Sequence, residues 1–291
     1  MLKITPGQYS TENSGLVTLH QGNGFDPDEA RDRKRLDFQI DLSGRILNLT
    51  ISYADRPLKL SDLVPMARAL CTKVVNAAAG IAADHGQRIT CSKGCTYCCS
   101  YLAPLSSAEA FRIRDEILTM PVSKRRYYLR SMMIRARYIL NHSQPLQQPE
   151  EPPGLTSQQN RLQNISEWYG SLKLACPFLS NRQCSIYQLR PLVCREYLVS
   201  SPASACNFTS PAMPRIIPLP VSVAEVLMMT SCRLEGTQPE AVMLPLTILW
   251  AEGNRARSQR TWQGKVLVET FVESLNTMLS LRENQPQTTA V

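Results

Sequence analysis

The sequence predicts a mainly α protein, a helical domain around a cysteine-bound metal centre with a small N-terminal β-hairpin. Three observations carry this expectation. Apolar residues recur at helical spacing through most of the chain after Ser61. Between Leu36 and Tyr53 they alternate with polar ones instead, the period of a strand with one buried face. Eight of the ten cysteines fall between Cys91 and Cys206, leaving Cys71 and Cys232 outside.

Residues 1–34 are polar and partly Gly-rich, ending in the charged run Asp28–Lys34, and are expected to form a flexible arm. The hairpin follows over 35–60: Leu36, Phe38, Ile40 and Leu42 alternate, Ser43-Gly44 supplies a turn, and Leu47, Leu49, Ile51 and Tyr53 alternate again. A lone hairpin is marginal in water, so it should pack on a helix or on further strands.

The cysteine-cluster domain is expected over 61–210. Ser61 is placed as an N-cap, and Leu63, Met66, Leu70, Val74, Ala77 and Ile81 form one apolar stripe that stops at His85-Gly86. Cys71 lies beside that stripe as a small core residue. Ser106-Ser107-Ala108-Glu109 has the form of a capping box and opens a helix through Leu118. A second helix over Ser123–Leu140 carries Lys124, Arg125, Arg126, Arg130, Arg135 and Arg137, with no acid from Ile117 to Pro149. A Pro-rich linker over Ser143–Pro153 precedes a helix over Ser157–Leu172. Residues 211–282 read as three helices, Ser222–Leu234, Pro239–Glu252 and Gln259–Leu281. Trp250, Trp262, Leu267 and Phe271 are expected to close a core around the cysteine region. A tail follows over 283–291.

A chain of 291 residues can bury a core without disulfides, so ten cysteines are not staples for a small fold. The N-terminus has no apolar targeting segment, and no stretch gives about 20 uninterrupted apolar residues. The expectation is a cytoplasmic protein with no membrane partner, where clustered cysteines serve as metal ligands or redox groups. Cys91, Cys95, Cys98 and Cys99 stand at i, i+4, i+7 and i+8, so on a helical turn all four could share a face. Cys176, Cys184, Cys194 and Cys206 would complete the shell from elsewhere. The adjacent Cys98 and Cys99 are awkward as ligands to one mononuclear ion, which implies a polynuclear site or a non-ligand. All-thiolate ligation limits the candidates to an iron–sulfur cluster, 4Fe–4S foremost, or zinc. Arg190 and Arg195 flank Cys194 and could hydrogen-bond the sulfurs. Tyr187 and Tyr197 read as packing residues, and His20, His85 and His142 are too isolated to be ligands.

At these residues the sequence resembles the zinc- or iron-chelating domain family of the CxxCxxCC type, through C-x3-C-x2-CC with Glu109 nearby, and CPFL…C-x-IY-x2-RP-x2-CR-x-Y from Cys176 to Tyr197. The resemblance covers about residues 85–210 and implies metal or iron–sulfur binding. Three residues separate Cys91 from Cys95 where the family has two. The CPFL and C-x-IY elements are also similar to those of flagellin lysine N-methylases, although the chain has no Gly-rich loop for a methyl donor.

A metal-binding or redox module is thus the leading function. An enzyme, an oxidoreductase or a protein methyltransferase, would need a base near the centre, and the motifs place only Glu109 and Glu196 there. The net charge of +8 suits an acidic or redox protein partner. Nucleic-acid binding through 124–137, with Tyr127 and Tyr128 stacking on bases, is the lesser alternative, since no recognised reading motif accompanies the basic face.

Overall fold

The computed structural model describes residues 16–21, 33–142, 155–208 and 210–283. Most of the arm, the Pro-rich linker and the tail beyond Glu283 lie outside these residues. Among the described residues no helix is long and apolar enough to cross a membrane.

The hairpin is present as β2 (Arg33–Leu42) and β3 (Arg45–Ala54), paired antiparallel from Arg33↔Ala54 to Leu42↔Arg45. Its two-residue turn has Ser43 and Gly44 both at positive φ, 56° and 85°, and the Asp41 carboxylate accepts the Gly44 N–H at 2.6 Å. The sheet is larger than expected. Val17–Gln21 forms β1 and pairs along the free edge of β3, giving the order β1-β3-β2. This stretch falls inside the expected arm; Val17 is fully buried, so its apolar face is drawn onto the core by β3 rather than announced by a long local pattern.

The inner face of the sheet, with Ile40, Leu42, Leu49, Ile51 and Tyr53, packs in one core with α1 (Val64–Asp84) and α9 (Gly264–Glu283). Ser61 does not cap α1. It is buried in a 3-10 turn over Leu60–Leu63, where the Asp62 carboxylate accepts the Lys59 N–H at 2.9 Å. Gly86, at φ +70°, follows the end of α1 as expected. β4 (Pro57–Lys59) pairs with β9 (Thr261–Gln263), and the Gly264 amide donates to the Arg56 carbonyl at 3.1 Å, so α9 starts against the sheet.

A second core lies under the cysteine region. It joins α2 (Ser107–Leu118), α3 (Val122–Leu140), the short pair β5 (Pro104–Leu105) and β8 (Val242–Met243), and α7 (Thr247–Gly253). Ser106 caps α2 as expected, its hydroxyl accepting the Glu109 N–H at 3.3 Å. Of the four residues expected to close a core around the cysteines, Trp250 does so, whereas Trp262, Leu267 and Phe271 belong to the sheet core. The helix expected over Pro239–Glu252 is broken up as well: Pro245 lacks an N–H and disfavours helix before it, so strand and 3-10 turn precede α7. α6 (Val223–Glu235) lies against α9, capped by the Ser222 hydroxyl and ended by Gly236 at φ 68°.

Candidate metal centre

All ten cysteines are free thiols. The first group does not sit on a helix. Gly94 takes φ +98°, a conformation that stops helix propagation, and the chain instead makes separate turns: the Cys95 N–H donates to the Ser92 carbonyl, and a 3-10 turn spans Tyr97–Ser100. The segment is held from outside. The Thr90 N–H donates to the Val199 carbonyl and the Thr90 hydroxyl to that of Ser201.

The second group arrives on equally short elements. The Cys176 amide donates to the Cys99 carbonyl at 2.7 Å, which joins the two groups through their backbones. β6 (Leu179–Ser180) and β7 (Gln183–Cys184) form a hairpin with Asn181 and Arg182 at positive φ, and this turn delivers Cys184. Cys194 stands on α5 (Leu192–Glu196), and Cys206 ends a 3-10 turn that packs beside that of Cys98 and Cys99. α3 braces the loop from below, with the Ser131 hydroxyl donating to the Pro177 carbonyl and the Arg135 guanidinium to that of Ala175.

Two carboxylates fix α5 at its ends. Fully buried Glu109 accepts the Leu192 N–H at 2.8 Å, and burial raises its pKa while that bond opposes the shift. Glu196 accepts from the Ser222 hydroxyl at 2.8 Å and the Ala224 N–H at 3.0 Å, so it caps α6; burial pushes its pKa up to about 7. Both acids serve as helix braces. Cys71 is buried in α1 as expected, its thiol 3.9 Å from the Glu196 carboxylate.

The thiols influence one another in a pattern centred on Cys98. Cys194 is pushed well up by burial and then by Cys176, Cys98 and Cys184. Cys176 is pushed up to about 11, by burial first and with Cys184 and Cys98 adding to it. Cys206 is raised by burial and then by Cys98, Cys91 and Cys95, with a hydrogen bond from Tyr197 opposing the shift. Cys98 itself is raised mainly by its hydrogen bond to Cys99 and by burial. Cys98 thus acts both on an inner set, Cys176, Cys184 and Cys194, and, through Cys91 and Cys206, on an outer set that includes Cys95.

The two arginines divide. Arg195 donates to the carbonyls of Arg190 and Gln188 and so ties its own loop together. Arg190 lies over the Tyr187 ring at 4.2 Å; burial raises the Cys91 and Cys184 thiols and the Cys99 hydrogen bond with burial raises Cys98, and the Arg190 charge opposes all three shifts in part. Its Nε is buried without a hydrogen-bond partner. A buried orphan donor beside thiols is what an anionic sulfur-ligated group would satisfy. The thiols do not yet form a finished cage: among the described residues no three His, Cys, Asp or Glu side chains are arranged to hold an ion as they stand. Ligation would require thiol rotation and loss of protons. His20, His85 and His142 bond to Ser52, Ile81 and Tyr138 instead.

Tyr197 packs as expected, its ring meeting that of Tyr101 edge-on at 5.6 Å, and its hydroxyl also bonds to Tyr101 and Cys206. Nothing in the sequence brings Tyr101 to Tyr197, because their meeting follows from the fold.

Residues 90–210 match the family model CxxCxxCC, described as "Putative zinc- or iron-chelating domain". No curated protein and no solved structure matches the chain. The matched segment contains all eight cysteines of the two groups, Glu109 and Arg190, while the sheet and the C-terminal helices fall outside it. Over residues 90–210, less than half of the chain, the protein is thus similar to the CxxCxxCC family and its zinc- or iron-chelating description.

Proposed function

We propose that this protein holds a 4Fe–4S cluster and serves as a redox module. Cys98, Cys176, Cys184 and Cys194 would be the ligands, with Arg190 donating from Nε to the cluster's sulfurs. The single observation that carries the reading is the joining of the two cysteine groups through the Cys176–Cys99 backbone hydrogen bond, with the thiols of both groups acting on one another's pKa values and the orphan Arg190 donor beside them. Four thiolates suit such a cluster, and hydrogen bonds to sulfur tune its potential. Cys99 is left out, as the geometry of adjacent residues favours, and Cys91, Cys95 and Cys206 form the outer group. The engagement of Glu109 and Glu196 in helix capping supports a binding module over an acid–base catalyst.

The test is iron, zinc and acid-labile sulfide content with an absorption spectrum, on protein purified without oxygen, for the native chain and for Cys194→Ser and Cys206→Ser. Iron and sulfide in near-equal amounts with a broad visible band, lost in Cys194→Ser and kept in Cys206→Ser, is the expected result. Zinc in a colourless sample would overturn the cluster and leave a zinc-binding module. The reverse response of the two variants would overturn the ligand assignment.

A further inference from the structure

The outer half of α3 is an unusual surface. Its inner side is buried through Tyr128, Met132, Ala136 and Ile139. Tyr128 packs against Phe178 and cannot stack on a base, as the sequence had suggested it might, whereas Tyr127 is 53% exposed. Tyr127, Ile134 and Tyr138 fall on one exposed row at i, i+7 and i+11. Met133 and Leu140 are exposed on a second row. Between them runs a third row of exposed arginines, Arg126, Arg130 and Arg137, none of which forms an ion pair among the described residues.

We propose that this face docks an acidic protein, whose carboxylates lie along the arginine row while its apolar side chains cover the two flanking ridges. The inference stands whichever metal the centre holds. Charge complementarity names the sign of the partner, since the helix carries six basic residues and no acid. The order of the rows names its class. A helix lying on a membrane turns its apolar stripe inward with cations at the margins, and here the arginines occupy the middle. A phosphate backbone would engage the arginines yet leave Ile134, Met133 and Leu140 uncovered. Exposed Tyr, Arg and Met together are the composition of a protein interface. The same helix braces the Cys176 loop through Ser131 and Arg135, so a partner seated there would lie one helix away from the thiols.

The experiment is anisotropy of a labelled helical peptide with glutamates in one row and leucines flanking it, titrated with the full-length protein as purified. A scrambled peptide of equal composition, phosphatidylglycerol vesicles and a single-stranded oligonucleotide serve as competing probes. The patterned peptide should bind at least tenfold more tightly than the scrambled one. At least tenfold should be lost both in Arg130→Glu/Arg137→Glu and in Tyr127→Ser/Ile134→Ser, each with native metal content and helicity. Equal binding of the two peptides overturns the proposal. So does sensitivity to the charge reversal alone, which would mark unspecific attraction, or tighter binding to vesicles or oligonucleotide.

Discussion

The sheet core and the cysteine region are built on opposite plans. In the first, ten-residue strands and helices of 21 and 20 residues bury an apolar interior whose side chains include fully enclosed Ile51, Leu70 and Phe271. In the second, strands of two residues, a five-residue helix and 3-10 turns surround thiols that are mostly only half-buried. Long elements keep their shape through packing that needs nothing added. Short ones are held by a few capping carboxylates and cross-loop hydrogen bonds, so a metal held by the thiols, as proposed, would supply much of their rigidity.

The sharpest test of this contrast is metal removal. Chelation should cost amides at 88–100 and 176–208 about 5 kcal/mol or more of hydrogen-exchange protection, by analogy with structural metal sites, while β3 and α1 keep theirs. Equal losses in both regions would break the comparison. Phe271→Ala should do the converse, destabilising the sheet core by about 3–5 kcal/mol in denaturant melts with metal content unchanged. Gly264→Ala belongs to the same class: its new Cβ would sit 2.4 Å from the Ala54 carbonyl oxygen, at a cost of about 1–3 kcal/mol.

The pH responses of empty and loaded protein should have opposite slopes. The Cys176 thiol lies near 9 when unperturbed and is pushed up to about 11 in the fold. The folded state then keeps a proton that the unfolded state releases. Stability of the metal-free protein is therefore full below pH 9 and falls between 9 and 11, on the order of 3 kcal/mol from this thiol alone. Metal binding releases thiol protons, so the loaded protein gains as pH rises toward that window. Thermal melts with and without chelator measure both slopes, and slopes of the same sign would remove the distinction. An effect as small as that of Gly264→Ala is expected from Glu109→Ala, which orphans the Leu192 N–H: about 1–3 kcal/mol in melts, with weakened metal retention because α5 carries Cys194. Unchanged retention would mean that α5 is placed by other contacts.

The two regions also differed in how far they could be read from sequence. The hairpin, α1, α2, α3 and α6 follow from periodicity, from the Ser43-Gly44 turn and from the Ser106 cap, all of which act within a few residues. β1, β4 and β9 were missed because each is short and its partner is distant: Val17 pairs with Tyr53, and Leu58 with Trp262. In the cysteine region the residue types were legible and their arrangement was not. Spacing alone put Cys91 through Cys99 on a helical face, and the positive φ of Gly94 removes that helix. The difference between Arg190 and Arg195, or the contact of Tyr197 with Cys206, depends on tertiary placement that no local pattern encodes.

The hydrogen bond from Cys176 to Cys99 bears on how such a protein matures. Two thiol groups separated by a long stretch of chain would meet rarely in an unfolded polymer, and closing that loop has an entropic cost. In the folded chain the backbone hydrogen bond between them holds the second group close to the first, at a high effective concentration, as a tethered second binding module is held. A chain interrupted between residues 99 and 176 would lose that tether and would have to bring its two thiol groups together from separate pieces.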